Sequence, residues 1–384
     1  MGQVLFWLGA ATVLFFLAVA VEVIAGGRRL VFLRDVAPLG DDEMPAVSVI
    51  VPARNEERGV ERALRSVLAQ RGPRTEVIVV EDRSEDATGA ILDRMAAEDP
   101  ALRVVHVTEL PPGWLGKNHA LWLGAEAAAG ELLLFTDADV VMAPGTVRRA
   151  AAHVVRGGFD HVTMGPRVDM PGWVLKTFGI VFGLNFVLFT RPWKARDPRS
   201  RHFVGVGAFN LVRAEVYRAI GTHRAIAMRP DDDMKLGKLV KKHGFRQDLV
   251  IGADAISVEW YHGVREAVLG LRKNGFAGVD YRISLVLLAT VTQLVFFVWP
   301  WIAVFATGGA TRALYALAVG FMLFLFAGLA RQQKVPMWYG VFWPVASLLF
   351  VYVTWNATLY ALVHRGIEWR GTHYPLDQLR ANRV

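Results

Sequence analysis

The sequence predicts an α/β protein: a mixed, mostly parallel sheet covered by helices, set between apolar segments long enough to cross a membrane. Three observations carry this. Between Val47 and Phe135, short β-branched runs alternate with amphipathic stretches, the pattern of parallel strands joined by helical crossovers. Acidic and polar residues follow those runs rather than interrupt them. Finally, the chain of 384 residues is 53% hydrophobic, and its longest apolar runs lie at the two ends.

Val4–Ile24 is nearly unbroken apolar sequence with one charge, Glu22. About 20 residues at roughly 1.5 Å rise span a hydrocarbon core of about 30 Å. A cleaved signal peptide would carry basic residues before this run, whereas Arg28, Arg29 and Arg34 follow it. That polarity predicts an uncleaved anchor over residues 1–27 with the following chain in the cytoplasm. Residues 28–45 read as a linker, with two prolines, a glycine and the acids Asp41–Glu43 after Asp35.

The body, residues 46–282, opens with Val47–Val51 as a buried strand. Val60, Ala63, Leu64, Val67 and Leu68 then form one apolar stripe on a 3.6 period, and Gly72-Pro73 ends that helix. Val77–Val80 is the next strand, Thr88–Ala97 a helix, Arg103–Val107 a strand, His119–Ala129 a helix and Leu132–Phe135 a strand. Gly172–Phe189 is strongly apolar yet holds Lys176 and Asn185. It reads as a helix at the membrane interface or folded under the α/β body, and Arg191, Lys194, Arg196, Arg199 and Arg201 after it suit lipid phosphate.

Ile283–Ala306 and Ala313–Ala330 are long enough to span, and Pro336 and Pro344 divide the next run into a short re-entrant piece and a span over Val345–Val363. The region 283–364 is thus a membrane region. The tail, 365–384, carries Arg365, Arg370, Arg380 and Arg383 and is expected on the cytoplasmic side.

Composition excludes several chemistries. The chain has no cysteine, so disulfide scaffolds, thiol nucleophiles and Cys-ligated metals are out. A net charge of +8 on so apolar a chain points to an anionic lipid surface rather than to nucleic acid. Neither a Walker loop nor a Gly-x-Gly-x-x-Gly after the first strand is present.

What remains is carboxylate chemistry. Asn55 and Glu56 follow the first strand, Glu81, Asp82 and Asp86 the second, and Asp137-Ala138-Asp139 the fourth. Ligand sites of open α/β sheets lie beyond the carboxyl ends of the strands, so three acidic clusters converge on one rim. Each alone could be a turn or a helix cap. An Asp-x-Asp pair at a strand end offers hard oxygens to Mg²⁺ or Mn²⁺, whose shell is completed by water and substrate phosphates.

Val47–Glu56 (VSVIVPARNE), Val77–Asp86 (VIVVEDRSED) and Leu132–Asp139 (LLLFTDAD) resemble the successive signatures of inverting family 2 glycosyltransferases of GT-A fold. Gly205–Arg213 (GVGAFNLVR) is similar to the acceptor-side loop of that family, which brings in Gly205 and Gly207. Asp232-Asp233-Met234-Lys235-Leu236 before Gly244-Phe245 is similar to its acidic helix-start motif. The resemblance implies that Pro52, Ala53 and Glu56 hold the nucleotide and that Asp82 meets the base ring. It implies that Asp137 and Asp139 engage the donor diphosphate through a divalent metal, Asp139 as direct ligand. The general base falls among three consecutive acids, Asp231–Asp233; aligned on Gly244-Phe245 it is Asp233, with Asp232 second. Acids also favour helix N-termini, and cap and base are compatible.

Lys117, in Gly116-Lys117-Asn118 at a helix start, suits a phosphate, or is an exposed Lys beside an Asn cap. Of Arg272-Lys273, Arg272 is expected at headgroups and Lys273 is a candidate for the diphosphate. The Gln-x-x-Arg-Trp motif of polysaccharide-synthesising members is absent. Leu110–Gly116 and the tail segment Gly366–Tyr374 (GIEWRGTHY) resemble membrane glycosyltransferases of hopanoid or carotenoid clusters. The expectation is an enzyme of a bacterial-type membrane, with its catalytic domain in the cytoplasm. It moves one sugar from a nucleotide donor, UDP-linked, to a lipid or polyprenyl-linked acceptor. The alternatives are a processive polysaccharide synthase and a non-catalytic membrane protein or transporter; in a transporter ionisable residues would lie within the spans.

Overall fold

A computed structural model describes residues 2–70, 72 and 74–384. Pro73, expected to help stop the first helix of the body, lies outside the described residues, as do Met1 and Arg71. The chain divides into two units. One comprises Leu30–Arg167, Arg191–Glu259 and Glu368–Val384; the other comprises the segments through Arg29, Val168–Thr190 and Trp260–Ile367.

The first unit is α/β. Its eight-stranded sheet runs, in spatial order, Val31–Phe32, Gln247–Ile251, His161–Gly165, Asn210–Arg213, Leu132–Phe135, Val47–Ala53, Thr75–Asp82 and Leu102–Val107. Every neighbouring pair is parallel except those of Asn210–Arg213, which runs antiparallel to both its neighbours. The sheet is therefore mixed and mostly parallel, as expected.

Alternation along a strand sends successive side chains to opposite faces. Val47, Val49 and Val51 enter one apolar cluster with the stripe Val60, Leu64, Val67 and Leu68. Ile50 enters another with Leu121, Leu133, Val212 and Leu236. Both faces are dry, which is why the strands read as continuous apolar runs. The helix Gly116–Glu126 begins three residues before the expected His119, because the amide of Leu115 donates to the Ala227 carbonyl at 2.9 Å and fixes the entry. A smaller ladder pairs Val140–Met142 antiparallel with Ile256–Glu259.

A buried glutamine joins the sheet to the loops at its rim. Gln247, fully buried, accepts from the Val204 amide at 2.9 Å and donates to the Gly237 carbonyl at 2.7 Å. It pins the segment before Asn210–Arg213 against the helix Asp232–Lys242.

The second unit is helical. Among the described residues, five helices are long and apolar enough to cross a membrane: Gly2–Gly27, Gly172–Lys194, Ile283–Ala306, Gly309–Gln332 and Met337–Val363. Phe16, Phe178, Val181, Phe297, Phe326 and Trp343 pack in their common core, while Trp7, Leu14, Leu288, Phe305 and Val363 stay exposed. Helices apolar on every side belong in lipid or in a large core. Ile283–Thr292 passes through a wide π turn, Gln293–Val298, into Trp299–Ala306. Pro300 lacks the amide that would continue the ladder, which accounts for the wide turn before it. Of Met337–Pro344, expected as a short re-entrant or interfacial piece, Met337–Phe342 is a 3₁₀ stretch and Trp343 and Pro344 already begin the helix Trp343–Val363. The helix Gly172–Thr190 and the helix Val264–Gly275, which carries Lys273, belong to this apolar unit rather than to the α/β unit.

Candidate active site

The site forms where the strand Leu132–Phe135, the start of the helix Gly116–Glu126, the loop Gly205–Gly207 and the start of the helix Asp232–Lys242 come together. Asn118, read from sequence as a possible cap, is instead fully buried. Its amide nitrogen donates to the carbonyls of Ile226 at 2.8 Å and Arg229 at 2.9 Å. That ties the first turn of the Lys117 helix to the segment leading into the three acids.

Those three acids have different surroundings. Asp231 is held by Arg229 on both oxygens, at 2.8 Å from Nε and 2.9 Å from NH2, with Lys235 3.4 Å away. Both Asp231 oxygens are thus engaged by cations. Asp232 lies 3.6 Å from the Lys117 ammonium. Asp233 accepts from the Gly207 amide at 2.8 Å through Oδ2 and from the Met234 amide at 2.7 Å through Oδ1.

Gly207 marks the meeting point. A Cβ placed there would lie 3.0 Å from Asp137 Oδ2, 3.5 Å from Asp233 Oδ2 and 3.5 Å from Lys117 Nζ. Lys117 Nζ is itself 2.8 Å from Asp137 Oδ1. A small cleft opens here, lined by Lys117, Asp137, Gly207, Asn210, Asp232 and Asp233. Gly205 contributes differently: a Cβ there would fall on the Asp233 carbonyl, so the loop approaches the helix backbone to backbone.

The electrostatics follow from this crowding. Desolvation, reinforced by Asp232, pushes the Asp233 carboxyl up to about 7, while Lys117 and the Met234 amide pull it back. Burial works against the Lys117 ammonium, but Asp137, Asp232 and Asp233 outweigh it and hold the cation charged. Asp139 sits half-buried with Oδ1 shut off from solvent and without a hydrogen-bond partner. Desolvation, then repulsion from Asp137 and Glu56, pushes it up to about 7. An orphaned, destabilised carboxylate oxygen beside a second carboxylate fits a divalent cation. Among the described residues no three acidic or histidine side chains stand grouped as a full metal shell. Asp139 and Asp137 would therefore need oxygens from elsewhere, as Mg²⁺ sites completed by phosphates do.

The residues expected to hold a nucleotide lie next to this cluster. Asp82 is buried at the end of its strand, bound by the Arg83 guanidinium at 2.8 Å and with Arg54 3.9 Å away. Its carboxylate packs on Gly116, the residue before Lys117. Pro52 and Ala53 end the first core strand, and Glu56 follows, half-buried. Desolvation raises Glu56, against the pull of Arg370, and Asp137 and Asp86 add to the rise. Asp82, Lys117, Asp137, Gly207 and Asp233 are thus linked through successive contacts, and Asp139 and Glu56 share their field. Lys273 is in the helical unit. Sequence reasoning missed Arg83, Arg54, Arg229 and the tail residues Arg370 and Tyr374. Of these only Arg229, two residues before Asp231, carried a local signal: a cation beside three acids.

Comparison with known proteins agrees with this reading. Residues 48–221 match the family model described as Glycosyl transferase family 2. A 4,4'-diaponeurosporenoate glycosyltransferase of Staphylococcus haemolyticus (strain JCSC1435) is 42% identical over 97 residues, a stretch covering 25% of this chain and 24% of that protein. The enzyme of the same name from Staphylococcus aureus (strain MRSA252) is 24% identical over 355 residues, covering 87% of this chain and 89% of that protein. Among solved structures, a mannosyltransferase from Pyrobaculum calidifontis in complex with GDP-Man and Mn²⁺ aligns with a TM-score of 0.55 at 20% identity. That alignment covers 93% of this chain and 99% of the other, and at that identity it speaks to the fold, which is GT-A.

Proposed function

We propose that this chain, whose residues 48–221 match the Glycosyl transferase family 2 model, moves a single sugar, with inversion, from a UDP-linked donor to a lipid or polyprenyl-linked acceptor at a membrane. The observation that carries the reading is the Asp233 carboxylate. It hangs on the Gly207 amide within the cleft shared by Asp137 and Lys117. A base there, pushed up to about 7, is matched to taking a proton from a sugar or lipid hydroxyl at neutral pH.

In this mechanism Asp82 and Glu56 lie on the nucleotide side. Asp139, with Asp137, would hold a divalent metal, which when bound neutralises charge developing on the departing diphosphate. Lys117, held charged beside Asp137, adds a second cation on the same side. Asp233 orients the acceptor hydroxyl and takes its proton as oxygen closes on the anomeric carbon. The mannosyltransferase neighbour was solved with GDP-Man and Mn²⁺, which supports a nucleotide sugar and a divalent ion. Five helices of spanning length and relatives named for 4,4'-diaponeurosporenoate support a lipid acceptor.

The test is transfer in membranes containing the protein, with labelled sugar nucleotides and label counted in the organic phase. Asp233→Asn lowers kcat by roughly 100- to 10,000-fold and leaves donor affinity nearly intact. Full activity in that variant removes Asp233 from the base role. The relatives' name supplies a specific second reading: the acceptor there is a carboxylate, which attacks already deprotonated. With such an acceptor Asp233→Asn keeps its rate and the hydroxyl reading falls. Asp139→Ala abolishes metal-dependent donor binding; equal donor affinity with and without divalent ion overturns the metal role.

A further inference from the structure

The chain after the last long helix does not trail away from the α/β unit. Gly366–Trp369 and Thr372–Pro375 form a hairpin whose two turn residues, Arg370 and Gly371, both have positive φ, 51° and 76°. Two-residue turns of this kind favour Asn and Gly, and an arginine there is strained. The turn directs the guanidinium back to the loop after the first core strand. NH1 donates to the Asn55 carbonyl at 3.2 Å, and NH2 pairs with the Glu56 carboxylate.

Four residues on, the buried Tyr374 accepts the Gly116 amide at 3.2 Å, next to Lys117 and against Asp82 and Arg83. Leu376 and Leu379 are buried. Asn382 takes the Met228 amide at 2.9 Å and donates to the Ala225 carbonyl at 3.0 Å. Lys238, on the helix that starts with Asp232 and Asp233, donates to the Val384 carbonyl at 2.6 Å. The tail therefore runs from the nucleotide-side loop across the start of the Lys117 helix to the helix of the candidate base.

Arg370 is a cation 41% exposed at its side chain, at the edge of a cluster of carboxylates. It is held there by Glu56, an anion standing on the side where the donor's anion would come to rest. A guanidinium presents a planar fork of donors that suits phosphate at least as well as carboxylate. We infer that Arg370 is a donor-binding residue, its guanidinium passing from Glu56 to the pyrophosphate of the nucleotide donor while Tyr374 holds the tail on the start of the Lys117 helix. This rests on the glycosyltransferase reading of the site.

The experiment is binding to the full-length protein in detergent with Mn²⁺ present, comparing UDP with uridine and GDP with guanosine. Arg370→Ala weakens the diphosphate by about tenfold or more and leaves the matching nucleoside within about twofold, as loss of one charge-assisted fork requires. Arg370→Lys, which keeps the charge without the fork, falls between. In turnover, donor KM rises while kcat stays within about threefold. A loss equal for diphosphate and nucleoside makes Arg370 a structural clamp and overturns the inference; no loss for either overturns it as well. Failure of the parent reading looks different, since the unaltered protein would then bind neither diphosphate.

Discussion

Asp233 lies among two backbone amides, of Gly207 and Met234, a cation at Lys117, and the carboxylates of Asp232 and Asp137. Desolvation and like charge win over the cation and the amides, and the carboxyl is pushed up to about 7. Only the deprotonated form accepts a proton, so with a hydroxyl acceptor activity is lost on the acid side. Below the inflection, at or under neutrality, kcat falls about tenfold per pH unit, and above it the rate levels off. A pH profile of single-turnover transfer checks this; a flat profile between about pH 5 and 7 would remove the titrating base. Gly205 gives a second prediction at this scale. The first atom of any side chain there would fall on the Asp233 carbonyl, a backbone group that cannot rotate away. Gly205→Ala should cost about 1–3 kcal/mol of stability and displace Asp233, so thermal midpoint and kcat drop together.

The helix Asp232–Lys242 is placed by two buried polar contacts. Gln247 holds its Gly237 carbonyl, and the Arg229–Asp231 pair, both partners buried, sets the residue before its first turn. Removing one member of a buried pair leaves the other charge uncompensated and costs about 3–5 kcal/mol. Arg229→Ala is therefore expected to lower stability by that amount in chemical denaturation, while Asp233→Asn leaves stability nearly unchanged and removes turnover. The contrast separates the acid that positions from the acid that reacts. Sequence alone could not make that separation, because three adjacent aspartates look alike until the partner of each is known. Val47–Val51, Val77–Val80 and Leu132–Phe135 were legible for a plain reason: buried on both faces, they are continuous apolar runs, and Leu132–Phe135 appears with the bounds its composition indicates. His161–Gly165, Asn210–Arg213 and Gln247–Ile251, by contrast, carry polar residues and were not legible as runs. The five-residue stripe from Val60 to Leu68 is likewise buried throughout. The contacts of the tail were not legible, since Arg370 meets Glu56 across 314 residues and Tyr374 meets Gly116 across 258. No periodicity encodes partners at that separation.

At the scale of the whole molecule, strand pairing constrains the path through a membrane. His161–Gly165 and Asn210–Arg213 pair in one sheet, yet the apolar helix Gly172–Thr190 lies between them in sequence. A full crossing by that helix would need residues 191–209, with five basic side chains, to carry unpaired backbone back through hydrocarbon, which is prohibitive. In a membrane this helix would therefore leave and return on one side. The same parity governs the C-terminal region. Ile256–Glu259 and the tail from Glu368 belong to one unit, so in a membrane an even number of crossings would separate them, and of the three spanning-length helices between them at least one would not traverse. The absence of cysteine makes the path measurable with single introduced thiols. Glu109→Cys and Asp377→Cys, both at exposed positions of the α/β unit, should share one labelling pattern. An impermeant maleimide should leave both unmodified in intact cells and label both after permeabilisation, as expected if the basic residues Arg28 and Arg29 after the first helix keep that unit in the cytoplasm. Labelling of Glu109→Cys in intact cells would reverse the orientation. Labelling of Asp377→Cys alone would mean that the tail and the sheet lie on opposite sides, which their hydrogen bonds forbid.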